Sequence, residues 1–414
     1  MRIGFFSDTY TPQINGVVTS IKLFADALER QGHEVYIFAP TPRQPTDGPR
    51  IIRIPSVPFV FQPEMRLASI YSAHAYRLAR RANLDVIHSH DPFAVGLFGL
   101  AVAKQFRLPY VHTYHTLYPE YVHYVWETRF TRAMAERLSR EFCDQCDLVL
   151  APSTKIERAL EEWGVTAPIE LLPTGVDASK FSSHDAGDAA EFRRRFGIPA
   201  KDKLLTFVGR VGLEKNLDLL VDAFARVKTA HTRLLIIGDG PYRSELDAHI
   251  EDLGIADRVT FTGYLQRPDV ATALGTSSLL FFASTSETQG LVVGEAMASG
   301  LPVVAVQDLA VGDAVIDGVN GYLTPERPGD LAEAADRVLT DPSLAAAMGA
   351  ESLKRAEALG IDLMATQLAE AYERLCAVAP SSRLRGLTAP VIDRVGRQMT
   401  RLRRRGRVIV RRYL

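Results

Sequence analysis

Two glutamates, Glu287 and Glu295, sit in the stretch STSETQGLVVGEAMASGLPVV, Ser284 to Val304. An apolar run, Leu279 to Ala283, leads into a polar loop, a small-residue helix opens at about Gly290, and Pro302 starts another apolar run. This order of strand, loop, helix and strand puts Glu287 in the loop and Glu295 inside the helix. The first turn of a helix carries unpaired N–H groups and partial positive charge, so the backbone from Gly290 through Leu291 and Val292 to Val293 suits an anion. Carboxylates beside a phosphate repel it, and their natural partners are hydroxyl groups. A ligand that offers phosphate and diols together is a nucleotide sugar. Taken alone, the two glutamates are more simply a helix-start acid and an exposed helix residue, so the remaining motifs must decide.

The cations needed by such a ligand occur after an earlier apolar run, in VGRVGLEKN, where Arg210 and Lys215 flank a turn that opens a helix. Gly209 and Gly212 permit close backbone approach, and a guanidinium that forks two oxygens beside a compact ammonium suits a pyrophosphate. Either residue by itself is an ordinary surface charge. The IIGDGP stretch, Ile236 to Pro241, is a weaker glycine turn, open to a nucleotide approach or to a tight strand-to-helix connection. No GxGxxG follows the first strand and no GxxxxGK[ST] occurs, which disfavours NAD and ATP sites of the usual kind. No Asp-x-Asp is present to bridge a diphosphate through a metal, so neither metal nor cofactor is expected.

In the first half, YTPQINGVV places Gly16 at a helix opening after the first strand, and HTYHTLYPEY and HSHD put His112, His115, His88 and Asp91 at two further strand ends. These histidines lack a compact ligand spacing, and a satisfied core or cleft imidazole is the commoner state. His115 is the one read as a sugar-contacting or proton-handling group.

The elements that must position these residues alternate in type. Apolar runs at Arg2–Phe6, Glu34–Ala39, Arg50–Ile54, Asp85–Ser89, Tyr110–Thr113, Asp147–Ala151 and Ile169–Leu172 predict strands, separated by amphipathic stretches at Val17–Gln31, Arg66–Ala82, Phe93–Phe106 and Thr128–Phe142. The rhythm repeats at Lys203–Val208, Arg233–Ile237, Arg258–Thr262, Leu279–Ala283 and Val303–Val306, while Asp330 to Ala379 reads as helices only. The expectation is an α/β chain of two doubly wound, Rossmann-like domains with a ligand cleft between their strand carboxyl ends. The expected parts are residues 1–180 as an acceptor-binding domain, 181–379 as a nucleotide-sugar-binding domain with a returning last helix, and 380–414 as a basic tail. A chain of 414 residues, 47% hydrophobic and 23% charged, bounds it as globular. The start lacks a signal-peptide pattern, and the three cysteines, Cys143 and Cys146 in a lone CxxC with Cys376 far away, make no disulfide framework, so a cytoplasmic setting is expected.

With these motifs in hand, the chain resembles the retaining glycosyltransferases of family 4, with the two-domain GT-B architecture. The resemblance covers roughly Met1 to Cys376 and rests on four motifs in order: the NGVV turn, HTYHT, GR followed by EKN, and the segment from Glu287 to EAMASGLPVV. It implies that Glu287 contacts donor-sugar hydroxyls, Glu295 the ribose hydroxyls, and Arg210 with Lys215 the diphosphate. It implies that amides of Gly290, Leu291 and Val292 and of Gly16 lie near sugar or phosphate, and that His115 is the active-site histidine. Asp91 and Tyr118 are assigned to the acceptor side. SDTYTPQINGVVTS, HTLYPEYVHY and SETQGLV are most similar to bacterial diacylglycerol glucosyltransferases, which implies UDP-glucose as donor and a membrane lipid as acceptor. The chemistry implied is front-face attack with retention, the leaving phosphate helping to deprotonate the acceptor hydroxyl.

The net charge of −1 conceals a split, because Ser382 to Leu414 holds eleven Arg and a single acid, Asp393, leaving an acidic body. If helical from Ile392, the tail aligns Ile392, Val395, Met399, Leu402, Gly406, Ile409 and Tyr413 in a narrow apolar stripe amid arginines, a pattern suited to an anionic membrane surface. Gly396 and Gly406 weaken a helix there, and a disordered basic tail is the simpler alternative. No aromatic-interleaved basic surface points to nucleic acid. A second candidate for lipid contact is the apolar loop Val57–Phe61, which would serve equally as core. The partners expected are thus a nucleotide sugar, a lipid acceptor and an anionic membrane. The alternatives are a polyprenyl-linked or soluble sugar acceptor, a nucleotide-sugar epimerase of the same fold, a binding module, and, with least support, a glycosidase.

Overall fold

The computed structural model describes residues 1–378 apart from 43, 46, 60–61, 122–128 and 182–185. The basic tail lies outside the described residues. Strands β1 (Arg2–Phe6), β2 (Glu34–Pro40), β3 (Ile51–Ile54), β4 (Ser56–Phe59), β5 (Gln62–Ala68), β6 (Val86–Ser89), β7 (Tyr110–Thr113), β8 (Leu148–Ala151) and β9 (Ile169–Leu171) belong to the first half. Strands β10 (Lys203–Val208), β11 (Thr232–Ile237), β12 (Val259–Gly263), β13 (Leu279–Phe282), β14 (Val303–Val306) and β15 (Gly321–Thr324) belong to the second. The first half forms a seven-stranded sheet in the order β3-β2-β1-β6-β7-β8-β9, and the second a six-stranded sheet in the order β12-β11-β10-β13-β14-β15. Every pairing within both sheets is parallel.

Strands buried on both faces need continuous apolar runs, and β13, Leu-Leu-Phe-Phe, is buried along its whole length. Alternation sorts the side chains between layers: Ile3 and Phe5 face one core, while Phe6 on the opposite face joins another with Phe38 and Phe98. In each sheet the strand order reverses at one place, between β1 and β6 and between β10 and β13. Loops diverge there and leave a crevice at the strand carboxyl ends. The motifs singled out above lie at or beside these two points.

The last helix, Ile361–Ala377, buries Ile361, Met364, Ala365, Leu368 and Tyr372 in the core of the first sheet, against the helix Gly16–Arg30. The two chain crossings between the halves touch: Val176 N–H donates to the Leu359 carbonyl at 2.9 Å, and Ile361 N–H to the Val176 carbonyl at 3.0 Å. Gly175 is required at this contact, since a Cβ there would lie 2.4 Å from the Ile361 Cα.

Several boundaries differ from the sequence reading. The amphipathic stretch from Arg66 is helical only over Ala73–Ala82, because its first residues finish β5 in an antiparallel hairpin with β4. Val57–Phe61 is therefore not a loop at its start: Val57 lies in β4, pairs with Leu67 and is 61% exposed, so it is not core, while residues 60–61 lie outside the described set. Strand β15 was not predicted. Its first residue, Gly321, packs so closely that a Cβ would meet the Val303 carbonyl at 1.9 Å, and such a backbone contact leaves no apolar pattern.

Candidate active site in the inter-domain cleft

At the switch point of the second sheet, Lys215 and Glu287 meet. The Lys215 Nζ donates to the Glu287 carboxylate at 2.7 Å, with both side chains only 16–17% exposed. Lys215 closes a single helical turn, Leu213–Lys215, after β10, and Ser286 Oγ ties the Glu287 loop to that turn by donating to the Glu214 carbonyl at 2.8 Å. Arg210, just beyond β10, is exposed and makes no ion pair among the described residues. The structure thus leaves one cation free and neutralises the other with the nearest carboxylate.

The glycine turn at Ile236–Pro241 serves the frame of this loop. A Cβ on Gly238 would lie 1.9 Å from the Gly209 carbonyl oxygen, and one on Gly240 2.2 Å from that of Val211. Gly238→Ala is expected to lower stability by about 1–3 kcal/mol or more, as overpacking does, read as a lower denaturation midpoint. An unchanged midpoint would show that the Arg210 loop moves freely.

Gly290 caps the helix Leu291–Ala298 with φ +74, a conformation that favours glycine. Val293 N–H bonds back to the Gly290 carbonyl at 2.9 Å, so the anion-binding backbone is shorter than the sequence reading made it. The amides of Leu291 and Val292, first in the helix, open from its end. Facing them is the start of the helix Gly16–Arg30, where Asn15 caps by accepting from Val18 N–H at 2.9 Å. A Cβ on Gly16 would stand 3.9 Å from Leu291 Cδ1. Two helix N-termini, one from each half, therefore converge on one spot of positive potential.

Glu295, 13% exposed at its side chain, is held by Arg267, which forms a short ion pair with its Oε1 and reaches Thr19 Oγ1 of the first half at 3.3 Å. Burial raises the Glu295 carboxyl above the ordinary glutamate range and Arg267 opposes that shift. Arg267 escaped the sequence reading because an Arg opening a helix before Pro268 has no mark distinguishing it from a surface charge. The loop carrying Glu287 is also anchored to the first half. The Gln289 side chain accepts from Thr174 N–H at 2.9 Å and donates to its carbonyl at 2.7 Å. Lys155 Nζ donates to the Thr285 carbonyl at 2.6 Å and to Asp308 at 2.9 Å.

On the first-half wall, His88, His90, His112 and His115 are all buried. His90 Nδ1 lies 3.0 Å from His115 Nε2, and His88 bridges Tyr372 of the last helix (2.5 Å) and Thr113 (2.7 Å). Burial pushes all four imidazoles well below their usual range, His112 and His115 to about 3, so they are neutral. Among the described residues no group of these side chains is arranged to hold a metal ion.

Asp91 and Tyr118 do come together: burial raises the Asp91 carboxyl, and the neighbouring Tyr118 is among the groups that oppose that rise. Asp91 also accepts from Ser7 Oγ at 2.6 Å and from Asp8 N–H at 2.9 Å. Asp8, missed in the sequence, accepts from Val95 N–H at 3.0 Å and from Gly96 N–H at 3.3 Å, at the start of the helix Ala94–Phe106. Burial, with the Asp91 charge beside it, pushes Asp8 up to about 8. Asp8 therefore favours its protonated form at neutral pH. Cys143 and Cys146 are buried with thiols pushed up by burial, while Cys376 is exposed.

Comparison with known proteins bears on the family and the fold. The model for "Glycosyltransferase Family 4" matches residues 14–180, and that for "Glycosyl transferases group 1" matches residues 188–355. An alpha-monoglucosyldiacylglycerol synthase of Streptococcus pneumoniae is 37% identical over 330 residues, covering 78% of this chain and 75% of that protein. One of Acholeplasma laidlawii is 33% identical, covering 78% and 84%. Among solved structures, Anabaena Alr3699/HepE in complex with UDP and glucose superimposes with a TM-score of 0.74 at 21% identity, covering 90% of this chain and all of that one, a likeness of fold.

Proposed function

The chain belongs to the family 4 glycosyltransferases, with the GT-B architecture, and on that premise we propose that it transfers glucose from UDP-glucose to diacylglycerol or a related membrane lipid, with retention at the anomeric carbon. The observation that carries the choice of sugar and acceptor is the similarity to the two alpha-monoglucosyldiacylglycerol synthases. In this reading Arg210, Lys215 and the amides of Leu291 and Val292 hold the diphosphate, so its charge is met by side chains and backbone without a bridging metal. Glu287 takes the hexose hydroxyls and Glu295 the ribose diol, with Gly16 closing on the phosphates from the other half. His115 faces the hexose, and Asp91 with Tyr118 lines the acceptor side.

In the transfer step the bond between the anomeric carbon and the diphosphate oxygen breaks. The acceptor oxygen bonds to that carbon on the same face, and its proton passes to the leaving phosphate. Arg210 and Lys215 stabilise the charge that builds on that phosphate, and closure of the two halves on the donor would exclude water that hydrolyses it.

Among the described residues no helix is long and apolar enough to cross a membrane. Attachment at the cytoplasmic face is assigned to the arginine-rich tail, each engaged Arg contributing about 1 kcal/mol at an anionic surface. The test is transfer of labelled glucose from UDP-glucose into anionic vesicles containing diacylglycerol. A labelled glycolipid that disappears in Glu287→Ala supports the reading. Transfer only from other donors or to soluble acceptors would keep the family and discard this substrate pair. Truncation before Ser382 should reduce transfer on vesicles and spare it on detergent-dispersed lipid.

A further inference from the structure

We propose that His90 is a positioning residue that fixes His115 as a neutral imidazole with its proton on Nδ1, so that His115 meets its ligand as a hydrogen-bond donor and not as a base. The inference rests on the reading of His115 as facing the hexose, and narrows what it can do there. His90 Nδ1 and His115 Nε2 are 3.0 Å apart, and the rings lie nearly parallel, at 21° with centroids 5.3 Å apart. Two neutral imidazoles share one proton across such a contact, and the remaining ring nitrogens decide which of them supplies it.

His90 is 1% exposed, and its other nitrogen, Nε2, has no hydrogen-bond partner among the described residues. Phe5 abuts the ring edge-on with centroids 4.9 Å apart, and His88 stacks on it at 4.3 Å. If His115 donated from Nε2, His90 would accept on Nδ1 and carry its own proton on Nε2, a buried N–H with nothing to receive it. If His90 donates from Nδ1, the orphan is a bare lone pair. A buried donor without an acceptor is the rarer and costlier state. The proton therefore sits on His90 Nδ1, His115 accepts on Nε2, and His115 Nδ1–H remains for a ligand oxygen. A second protonation of either ring is opposed by burial, with His88 and His112 as further imidazoles nearby.

The support is built in layers. His88 and His90 share a face through the two-residue period of an extended chain, and His88 is fixed by Tyr372 and Thr113. A donor whose tautomer is set before the hexose arrives needs no rearrangement when a hydroxyl or ring oxygen meets it.

The test is proton–nitrogen correlation NMR on the histidine rings of the full chain without substrates, with His115→Gln to identify the His115 signals, alongside kinetics. The expected result is a His115 ring protonated on Nδ1 in the wild type from pH 6 to 8. His90→Phe should mix the tautomers and lower kcat about 10- to 100-fold, the usual cost of losing such a support, with the donor KM little changed. His90→Asn, whose amide donates to the same nitrogen, should restore the tautomer and most of kcat. A wild-type His115 protonated on Nε2, or a His90→Phe spectrum still showing only Nδ1–H, overturns the proposal. The ring spectrum needs no transfer, so a chain inactive with every donor would sink the functional reading while leaving this one to be judged by NMR.

Discussion

Lys215→Ala is expected to lower kcat/KM by about 10²- to 10³-fold or more, at least the loss seen when one preorganised donor is removed from a site of developing negative charge. Two effects add. On the proposed reading the substitution removes a cation from the diphosphate, and it strips Glu287 of the partner that now sits 2.7 Å away. A carboxylate left unpaired in a site with 16–17% side-chain exposure then repels the phosphate it adjoins. Arg210→Ala is expected to cost about 10²–10³ through the first effect alone, because Arg210 is exposed and neutralises no carboxylate among the described residues. The double variant Lys215→Ala with Glu287→Ala separates the terms. Its loss should fall short of the product of the two single losses, because each single variant strands the other charge. Full multiplicativity in steady-state kinetics would show that the ion pair seen here is not the state that binds donor.

Acid lability is the second large effect. His88, His90, His112 and His115 are buried neutral, their pKa values depressed relative to the unfolded chain. Below pH 6.5 the unfolded state takes up protons that the folded state refuses. Stability is therefore full above that value and is lost as pH falls toward the depressed values, near 3 for His112 and His115. The coupled Asp8–Asp91 pair acts in the opposite sense, since Asp8 is raised to about 8 and the folded state keeps a proton that the unfolded state releases above the ordinary aspartate range. For these groups together, unfolding near pH 5 takes up about two to three protons, a loss of about 2–4 kcal/mol per pH unit between pH 6 and 5. Against a typical stability of about 5–15 kcal/mol, that is a large fraction of what holds the first domain folded. Urea midpoints at pH 7, 6 and 5 measure it. A flat profile would mean that the imidazoles take up protons without unfolding.

Much of the frame was legible in the chain. β10, with its continuous apolar run, fell where expected, as did the helix opening at Gly290, because a two-sided parallel strand and a glycine-capped helix impose strong local patterns. The hairpin of β4 and β5 was not legible: Gln62–Ala68 carries Gln, Glu and Arg and continues into a stretch with helical period, so its strand state depends on pairing with Ser56–Phe59. Of the residues singled out for the site, Lys215 and Glu287 meet, Gly16 faces Leu291, and Asp91 meets Tyr118.

What the sequence determined by itself was the class of chemistry and the strand ends that carry it. Residue types at a strand–loop–helix junction are local facts: amides at a helix start, carboxylates in the loop and helix, cations beyond the strand. Tertiary structure alone decided which charges are already spent. Arg267 reaches both Glu295 and Thr19, and Asp8 adjoins Asp91, only because segments far apart in the chain share one cleft and one sheet. The state of the histidines was decided the same way. Nothing in HSHD or HTYHT fixes a proton, whereas packing among Phe5, His88 and His115 takes the His90 ring out of water, and desolvation then holds it neutral.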